Sequence, residues 1–259
     1  MNAFTSELFS VEGRVAGVTG GGGHLCGEMA RGLAKAGAKV VVMDLRLEKA
    51  EAVAQQIKDT GGQAVGVELD ATKKDSFKAA LDQAVAAFGP LDIFVNGAGI
   101  NSSTPFFQME LSEWNAVMDS QITSTFLGCQ VIGEHMVGKG RGSIINISSA
   151  SAGPPLSKAF PYSVAKAGIK NLTQNLAREW ALQGVRVNAI RPGFFPTDWN
   201  RKNFITPERE AAILGHTPMK RYGEVSELIG ALIWLASDAS GFVTGAEIAV
   251  DGGYSAMTI

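Results

Sequence analysis

Short runs of β-branched and other apolar residues alternate along the chain with longer segments in which apolar residues recur at helical spacing. This alternation is typical of repeated βα units on a parallel sheet that is buried on both faces. The predicted strands are Arg14–Thr19, Lys39–Asp44, Ala64–Glu68, Ile93–Asn96, Ser143–Ile147, Arg186–Ile190 and Glu247–Val250. The predicted helices are Leu25–Lys35, Leu47–Thr60, Asp75–Phe88, Glu113–Val137, Tyr162–Gln183 and Val225–Ser237.

No linker divides these elements, so the pattern predicts one α/β domain over residues 1–259. Its architecture would be a doubly wound, seven-stranded parallel sheet with helices on both faces. The segment at about 192–218 lacks clear strand or helix periodicity. Within it, Thr206-Pro207-Glu208 is typical of a helix start, with a capping threonine before a proline at the first helical position. We interpret the segment as a substrate lid with a short helix of its own.

Composition narrows the classes of protein that remain. The formal net charge is −2, so no basic field is available to hold nucleic acid. The sequence contains no apolar run of roughly 18 residues that would span a membrane, and its N-terminal segment lacks the features of a signal or transit peptide. Cys26 and Cys129 belong to no CxxC or metal-ligand spacing, which favours a reducing compartment and no metal site. A cytoplasmic protein is therefore predicted.

A glycine cluster in Val15–Gly27 follows the first predicted strand and precedes the first predicted helix. Glycines let the backbone approach phosphates closely, and the helix N-terminus offers unpaired N–H groups, although flexible turns use the same residues. The next strand ends at Asp44, which would accept hydrogen bonds from adenosine ribose hydroxyls and repel a 2′-phosphate. A solvated, helix-capping Asp44 is the alternative, and Arg46 could reach a 2′-phosphate. NAD is therefore predicted, and the use of NADP stays open.

Tyr162 and Lys166 are four residues apart at the start of a predicted helix, so their side chains share a face. A lysine ammonium beside a phenol lowers the phenol pKa from about 10 and makes it a usable acid and base near neutral pH. Such pairs also arise by chance on many helices, where they are surface residues. Here a predicted strand runs directly into Ser148-Ser149, and Ser149 lies thirteen positions before Tyr162. That spacing makes the pair informative.

Together with the glycine loop, the acidic strand end and Asn96-Gly97-Ala98-Gly99, these residues resemble the short-chain dehydrogenase/reductase family over essentially the whole chain. The resemblance implies a Rossmann-type fold and a nicotinamide-dependent oxidoreductase acting on CH–OH groups. It assigns the proton exchange to Tyr162. It implies that Lys166 lowers the tyrosine pKa and holds the nicotinamide ribose, and that Ser149 hydrogen-bonds the reacting oxygen.

Two features depart from the family pattern. Gln121 stands where the family usually has a catalytic asparagine whose helix backbone holds a water in the proton relay, so a relay of shifted geometry is expected. In the loop pattern TGxxxGxG, His24 and Cys26 occupy the positions of the later two glycines. Either Gly23 and Gly27 replace them through a shift in register, or the loop tolerates side chains there. We interpret His24 as a loop residue that could donate to a phosphate or cap the helix.

The resemblance also implies which residues contact the cofactor. They are Gly20, Gly22, Gly23, His24, Leu25, Asp44, Leu45, Asp70, Ala71, Asn96, Gly97, Ala98, Ile147, Tyr162, Lys166, Pro192, Gly193, Phe195 and Thr197. Asp70 is expected to meet the adenine amino group, and Asn96 with Gly97 to flank the adenosine. Ile147 is expected beside the nicotinamide. The segment from Pro192-Gly193 to Thr197 would hold the carboxamide.

Within the family, the sequence is most similar to the fructuronate (mannonate) reductase and gluconate 5-dehydrogenase branch. Pro192-Gly193-Phe194-Phe195 and Thr217-Pro218-Met219 carry part of this resemblance. It implies a sugar-acid substrate such as D-mannonate, D-fructuronate or a gluconate-like acid. The predicted substrate contacts, which offer charge to a carboxylate or polar groups to hydroxyls, are Ser151, Arg191, Trp199, Asn200 and Arg201.

Other interpretations stay open at this point. Most cations of the lid could be solvated, and its aromatic residues could equally line an apolar pocket. The substrate would then be a β-ketoacyl thioester or another carbonyl compound. A protein that binds NAD without turnover is a third, weaker hypothesis, because Ser149, Tyr162 and Lys166 are all retained. The family resemblance further implies a homotetramer.

Overall fold

The computed structural model describes residues 3–197, 201 and 205–258. Its strands form one seven-stranded sheet in the order β3-β2-β1-β4-β5-β6-β7, and every neighbouring pair is parallel. The strands are β1 (Val15–Thr19), β2 (Lys39–Asp44), β3 (Gln63–Glu68), β4 (Ile93–Asn96), β5 (Gly142–Ile147), β6 (Val185–Pro192) and β7 (Glu247–Val250). The predicted Rossmann-type sheet is confirmed, and its strand bounds differ from the predicted ones by at most two residues.

The helices of the described ranges alternate with the strands along the chain. They are α1 (Ala3–Leu8), α2 (His24–Lys35), α3 (Leu47–Asp59), α4 (Lys74–Phe88), α5 (Leu111–Met118), α6 (Ser124–Lys139), α7 (Phe160–Trp180), α8 (Pro207–His216) and α9 (Ile229–Ala236). Within those ranges, none combines the length and the apolar character that a membrane crossing requires.

Two helical segments test the sequence pattern closely. The predicted single helix Glu113–Val137 is interrupted, because a π-helical turn at Asp119–Thr123 separates α5 from α6. An apolar period cannot reveal one widened turn, which explains the difference. The helix start predicted in the lid is confirmed: the Thr206 hydroxyl oxygen accepts a 3.2 Å hydrogen bond from the Arg209 N–H, and α8 begins at Pro207.

Strand β2 shows why the sheet is covered on both faces. Successive strand side chains point to opposite faces, so Val40 and Val42 pack with α2, α3 and α9, whereas Val41 and Met43 pack with α4 and α6. All four side chains are fully buried. Burial of each stabilises the fold by roughly 1.5–3 kcal/mol. The continuous apolar run of this strand is thus the signature of two core layers.

The strand order places a crevice at the carboxyl edge of the sheet. Strand β1 lies between β2 and β4, so the connections that leave β1 and β4 run to opposite sides. Open α/β sheets bind ligands at such a point. The loop after β1 and the turn after β4 are joined here, because the Thr19 hydroxyl oxygen accepts hydrogen bonds from the N–H groups of Gly97 and Ala98 at 3.0 and 3.2 Å.

Candidate active site

Three predicted catalytic side chains meet at the carboxyl end of β5. Ser149 lies just after this strand, whereas Tyr162 and Lys166 lie on the first turns of α7. Ser149 and Tyr162 line the same cleft. The buried Lys166 Nζ lies 5.4 Å from the centre of the Tyr162 ring and donates a 2.6 Å hydrogen bond to the Ile147 carbonyl oxygen. A phenol, a hydroxyl and an ammonium group are thereby gathered at one strand end, which is the chemistry that proton exchange with a carbinol requires.

Burial tunes the ionisable groups of this site. It raises the pKa of Tyr162 above the ordinary value, while the interaction with the Ser149 hydroxyl acts in the opposite direction. Burial also lowers the pKa of Lys166 to about 8. The sequence predicts a tyrosine pKa lowered by Lys166. The described arrangement differs because burial dominates at the phenol and the lysine donates to the Ile147 carbonyl.

Ser151 supports Ser149 and does not line the cleft. It is fully buried in the 3-10 turn Ala150–Ala152, and both its N–H and its hydroxyl donate to the Ser149 hydroxyl oxygen, at 3.2 and 3.1 Å. The predicted substrate contact of Ser151 is therefore corrected, because the turn folds this side chain inward. Two donors on one oxygen leave the Ser149 proton available for another acceptor.

The arginines predicted to contact substrate have other partners. Arg191 forms a 3.0 Å ion pair with the buried Glu247 carboxylate. The Arg201 guanidinium stacks on the Tyr222 ring at 4.7 Å, as a cation–π contact. Neither residue is among the described residues that line the cleft, so their substrate contacts stay predictions. The other two predicted contacts, Trp199 and Asn200, lie outside the described residues.

The cleft beside Ser149 and Tyr162 has a volume of about 830 Å³. Its polar lining consists of Asn101, Ser102, Ser103, Ser149, Ser157, Lys158, Tyr162, Thr206 and Arg209. Its apolar lining includes Leu156, Phe194, Phe195, Ile205 and Ile213. Among the described lining residues, two carry a positive charge and none carries a carboxylate. The cleft is therefore mixed in polarity and electropositive.

Lys158 and Arg209 are the site residues that the sequence reasoning missed. Lys158 lies in the loop before α7, where it takes a left-handed φ of 57° that is uncommon for a residue with a side chain. Arg209 is on the first turn of α8, and its guanidinium donates a long, 3.4 Å hydrogen bond to the Ser157 hydroxyl. The ion pairs of the described residues include neither cation. The available signal was the predicted Thr206 cap, which places Arg209 on the first turn of a lid helix.

Gln121 lies in the π-helical turn and braces the loop after β4. Its amide Nε2 donates a 2.8 Å hydrogen bond to the Ile100 carbonyl oxygen. A Cβ atom added at Gly99 would come within 2.4 Å of the Gln121 amide, so the side chain packs directly on this glycine. The Gln121 backbone carbonyl accepts a 2.8 Å hydrogen bond from the Thr125 hydroxyl. The part of Gln121 in a proton relay stays a prediction.

The loop after β1 folds closely onto the end of β2. The Gly22 N–H donates to the Asp44 carboxylate at 3.1 Å, and a Cβ atom at Gly22 would lie 2.6 Å from the Lys49 Cβ. The other Asp44 oxygen accepts from the Arg46 N–H at the start of α3. Asp44 therefore acts as a cap and also stands at the strand end where an adenosine ribose is bound in dinucleotide folds.

The two unusual loop positions have different structural roles. His24 is the exposed first residue of α2. Cys26 is buried against the turn after β4, since a Cβ atom at Gly97 would lie 2.2 Å from its sulfur. Gly27 keeps α2 close to the loop, because a Cβ atom there would lie 3.1 Å from the Gly21 carbonyl oxygen. The loop thus accommodates a side chain at Cys26 and uses Gly27 for close packing, which combines both alternatives.

The residues predicted around the adenosine also have partners within the protein, and their contacts with the cofactor stay predictions. The Asn96 side chain is buried in the core and donates a 2.9 Å hydrogen bond to Asn146, so it does not face the crevice. The Asp70 carboxylate accepts from the Thr72 hydroxyl at 2.6 Å and pairs with Lys73 at 2.9 Å. The Thr72 hydrogen bond is the largest cause that lowers the pKa of Asp70. The Asp70 carboxylate also accepts from the Thr72 N–H and so holds the backbone of its turn, whereas Asn96 links β4 to β5 through side chains.

The remaining predicted cofactor contacts are found at strand ends and loop starts. Leu25 is half-buried on α2, Leu45 and Ala71 follow Asp44 and Asp70, and Pro192 is the last residue of β6. Gly193 and Phe195 line the cleft. The Thr197 carbonyl oxygen accepts a hydrogen bond from the Arg201 N–H at 2.9 Å.

The crevice fits a nicotinamide dinucleotide. A loop without room for side chains at Gly22 leads into the N-terminus of α2, where backbone N–H groups attract a pyrophosphate. Asp44 would hold the adenosine ribose, and Lys166 with Ile147 would hold the nicotinamide end. When bound, the nicotinamide accepts or donates a hydride.

This fold and this site define a class, and comparison with known proteins identifies it: the chain belongs to the short-chain dehydrogenase/reductase family. A family model described as Enoyl-(Acyl carrier protein) reductase matches residues 25–255. The chain is 38% identical to the uncharacterized oxidoreductase UxuB of Bacillus subtilis (strain 168), over 96% of this chain and 97% of that protein. It is 35% identical to the 5-keto-D-gluconate 5-reductase of Escherichia coli (strain K12), over 96% of this chain and 98% of the relative.

A solved structure extends the comparison to the fold. The gluconate 5-dehydrogenase from Burkholderia cenocepacia J2315, in complex with NADP and tartrate, superposes with a TM-score of 0.93 at 35% identity, covering 98% of this chain and 100% of that one. The protein is an NAD(P)-dependent oxidoreductase of the short-chain family that acts on CH–OH groups.

Proposed function

We propose that this protein is an NAD-linked dehydrogenase of sugar acids, which interconverts the secondary alcohol and the ketone of a D-mannonate/D-fructuronate or gluconate-like substrate. The observation that carries the proposal is the electropositive cleft beside Ser149 and Tyr162. Lys158 and Arg209 supply its charge, and no carboxylate lines it among the described residues.

The chemistry of the cleft suits a polyhydroxy acid. Arg209 offers a guanidinium that can bind a carboxylate through two parallel hydrogen bonds, and Lys158 offers a second positive charge. Asn101, Ser102 and Ser157 provide amide and hydroxyl groups for substrate hydroxyls. The relatives named for gluconate and keto-gluconate support the same substrate class.

In the oxidation direction, the Ser149 hydroxyl donates a hydrogen bond to the reacting oxygen and the Tyr162 phenolate accepts its proton. The carbinol C–H bond breaks as its electron pair leaves with the hydride, which the oxidised nicotinamide would accept, and the C=O bond forms. In the reduction direction, the Tyr162 hydroxyl returns the proton. The buried Lys166 cation would favour the phenolate once the two groups are brought closer than in the arrangement described above.

A preference for NAD follows from Asp44. A 2′-phosphate on the adenosine ribose would meet the Asp44 carboxylate, and the two negative charges repel. The Arg46 N–H donates a hydrogen bond to Asp44 at the start of α3, and the Arg46 side chain is exposed. The preference for NAD over NADP is therefore part of the proposal, and one relative binds NADP.

A second candidate substrate has its own observation. Phe194, Phe195 and Ile213 form an apolar side of the cleft, which would accept the acyl part of a β-ketoacyl thioester or another apolar ketone. The two candidate functions differ in the substrate group that meets Lys158 and Arg209. A sugar acid offers them a carboxylate, whereas an apolar ketone does not.

The test is nicotinamide absorbance with purified protein, NAD and NADP, against aldonates, hexuronates, neutral polyols and apolar ketones. The proposal expects turnover with NAD that is at least tenfold faster on sugar acids than on neutral polyols. Faster turnover of acyl thioesters or apolar ketones would replace it with the second candidate. Failure of every substrate, with NAD binding still seen by titration, would favour a non-catalytic NAD-binding protein.

Two further predictions from the family resemblance accompany this proposal. A homotetramer would bury apolar side chains that α6 and α7 now expose, such as Phe126 and Val164. A cytoplasmic location stays a prediction from composition.

A further inference from the structure

Three consecutive residues at the end of β5 are each held by a different partner. The Ile147 carbonyl oxygen accepts from Lys166, and the Ser149 hydroxyl oxygen accepts from Ser151. Between them, the Ser148 hydroxyl donates a 2.6 Å hydrogen bond to the Glu247 carboxylate. The outer two residues belong to the catalytic machinery. The middle one connects that machinery to a strand at the edge of the sheet.

Glu247 connects four elements through its carboxylate. It begins β7, which pairs with β6 and not with β5. One oxygen accepts from Ser148, and the other lies 3.0 Å from Arg191 on β6 and 3.7 Å from Lys170 on α7. Lys170 is one turn beyond Lys166 on the same helix, so the carboxylate contacts both the catalytic strand end and the catalytic helix.

The burial of this carboxylate makes the contact strong. The Glu247 side chain is 9% exposed and Arg191 is 17% exposed, so little water competes for either. A hydroxyl-to-carboxylate bond at this length is of the charge-assisted kind. The close pair of Glu247 and Arg191 favours one geometry, because separating two poorly solvated charges is costly.

We propose that Glu247 is a positioning residue for hydride transfer: through Ser148 it fixes the end of β5, so that the Ile147 carbonyl and the Ser149 hydroxyl keep their places against Lys166 and Tyr162. A shift of under 1 Å at a reacting group is enough to slow an enzymatic step strongly. The inference rests on the oxidoreductase activity of the family and does not depend on which alcohol is the substrate.

The test uses two serines of the same region as a matched pair. Ser148 donates to Glu247, whereas Ser143, at the other end of β5, donates a 2.7 Å hydrogen bond to the Leu235 carbonyl oxygen. Both are buried, so Ser148→Ala and Ser143→Ala each remove one buried hydroxyl and its hydrogen bond, with the acceptor a carboxylate for Ser148 and a carbonyl for Ser143. A role limited to stability would give both variants the same kinetics.

We expect Ser148→Ala and Glu247→Gln to lower kcat about tenfold, with the KM for the alcohol and the Kd for the nicotinamide cofactor within twofold of the parent. The deuterium isotope effect on kcat, measured with substrate labelled at the carbinol carbon, should rise because hydride transfer becomes slower. Ser143→Ala should change neither quantity, and Ser148→Thr, which keeps a hydroxyl, should restore most of the rate.

Equal kcat values for Ser148→Ala and Ser143→Ala would overturn the inference, as would an unchanged isotope effect in a slowed Ser148→Ala enzyme. If Glu247→Gln does not fold, the comparison of Ser148→Ala with Ser143→Ala still tests the inference. The substrate is whichever alcohol the parent enzyme turns over, so loss of the sugar-acid proposal leaves this test intact.

Discussion

Two parts of the active site are held in different ways. We call Ser149, Tyr162 and Lys166, at the end of β5 and the start of α7, the floor of the site, and the cleft-lining cations Lys158 and Arg209 its wall. On the floor, the side chains of Ser149 and Lys166 have hydrogen bonds of 3.1 and 2.6 Å to buried partners. On the wall, Lys158 and Arg209 take part in none of the ion pairs of the described residues, and the Arg209 hydrogen bond to Ser157 is long, at 3.4 Å.

This difference indicates that the floor residues take part in the reaction, whereas the wall residues recognise the substrate. The Ser149 hydroxyl is already held in place to stabilise charge on the reacting oxygen, which is an effective form of electrostatic catalysis. The Lys166 cation, which donates to the Ile147 carbonyl, acts on Tyr162 once the two groups come closer. Cations on the wall that form no ion pair with a described residue keep hydrogen-bonding capacity for a ligand. Changes to the floor should therefore act on kcat, whereas changes to the wall should act on KM and substrate choice.

The largest effect is expected from Tyr162→Phe. This variant removes the group that exchanges the proton and keeps the ring, so turnover should fall by about 10²–10⁴-fold. Steady-state rates from nicotinamide absorbance measure the loss, and titration with the cofactor should give a Kd close to that of the parent. Turnover within threefold of the parent would mean that another group exchanges the proton, and the contrast between floor and wall would lose its basis.

A smaller effect is expected on the pH dependence of the free energy of unfolding, which Lys166→Met should change. Burial lowers the Lys166 pKa from 10.5 to about 8 in the folded protein. Between these values the unfolded chain binds one proton more than the folded protein, so the stability of the parent should rise with pH above 8 and be flat with respect to this group below 8.

The gain amounts to about 1 kcal/mol between pH 8 and 9. Urea unfolding at pH 7, 8 and 9 should show this rise in the parent relative to Lys166→Met. Parallel pH profiles for the two proteins would mean that the floor does not hold a destabilised lysine.

The floor could be predicted from the sequence because its geometry is local. Tyr162 and Lys166 follow from helical spacing, and Ser149 from its place directly after a strand. Asp44 follows in the same way from the end of β2. Strand ends of a parallel sheet lie at one edge, so residue types at these ends define the site before any contact is known.

Which cations belong to the wall could not be predicted, because other candidate cations are held away from it by partners distant in the sequence. Arg191 pairs with a glutamate 56 positions away, and Arg201 stacks on Tyr222. Which lid cation faces the cleft depends on the rotation of α8, which a cap at Thr206 does not determine. Asn96 is similar: its strand-end position was predicted, but its link to Asn146 in the core was not.

The most direct test of the central claim compares an aldonate with the alditol of the same chain length in the parent, in Arg209→Gln and in the control Arg201→Gln. If Arg209 binds the substrate carboxylate, Arg209→Gln should raise the KM for the aldonate about 10–100-fold, as loss of a charge-assisted hydrogen bond predicts, and leave the alditol unchanged. Arg201→Gln should stay within twofold for both. Equal changes for aldonate and alditol in Arg209→Gln, or a larger aldonate effect in Arg201→Gln, would contradict the account.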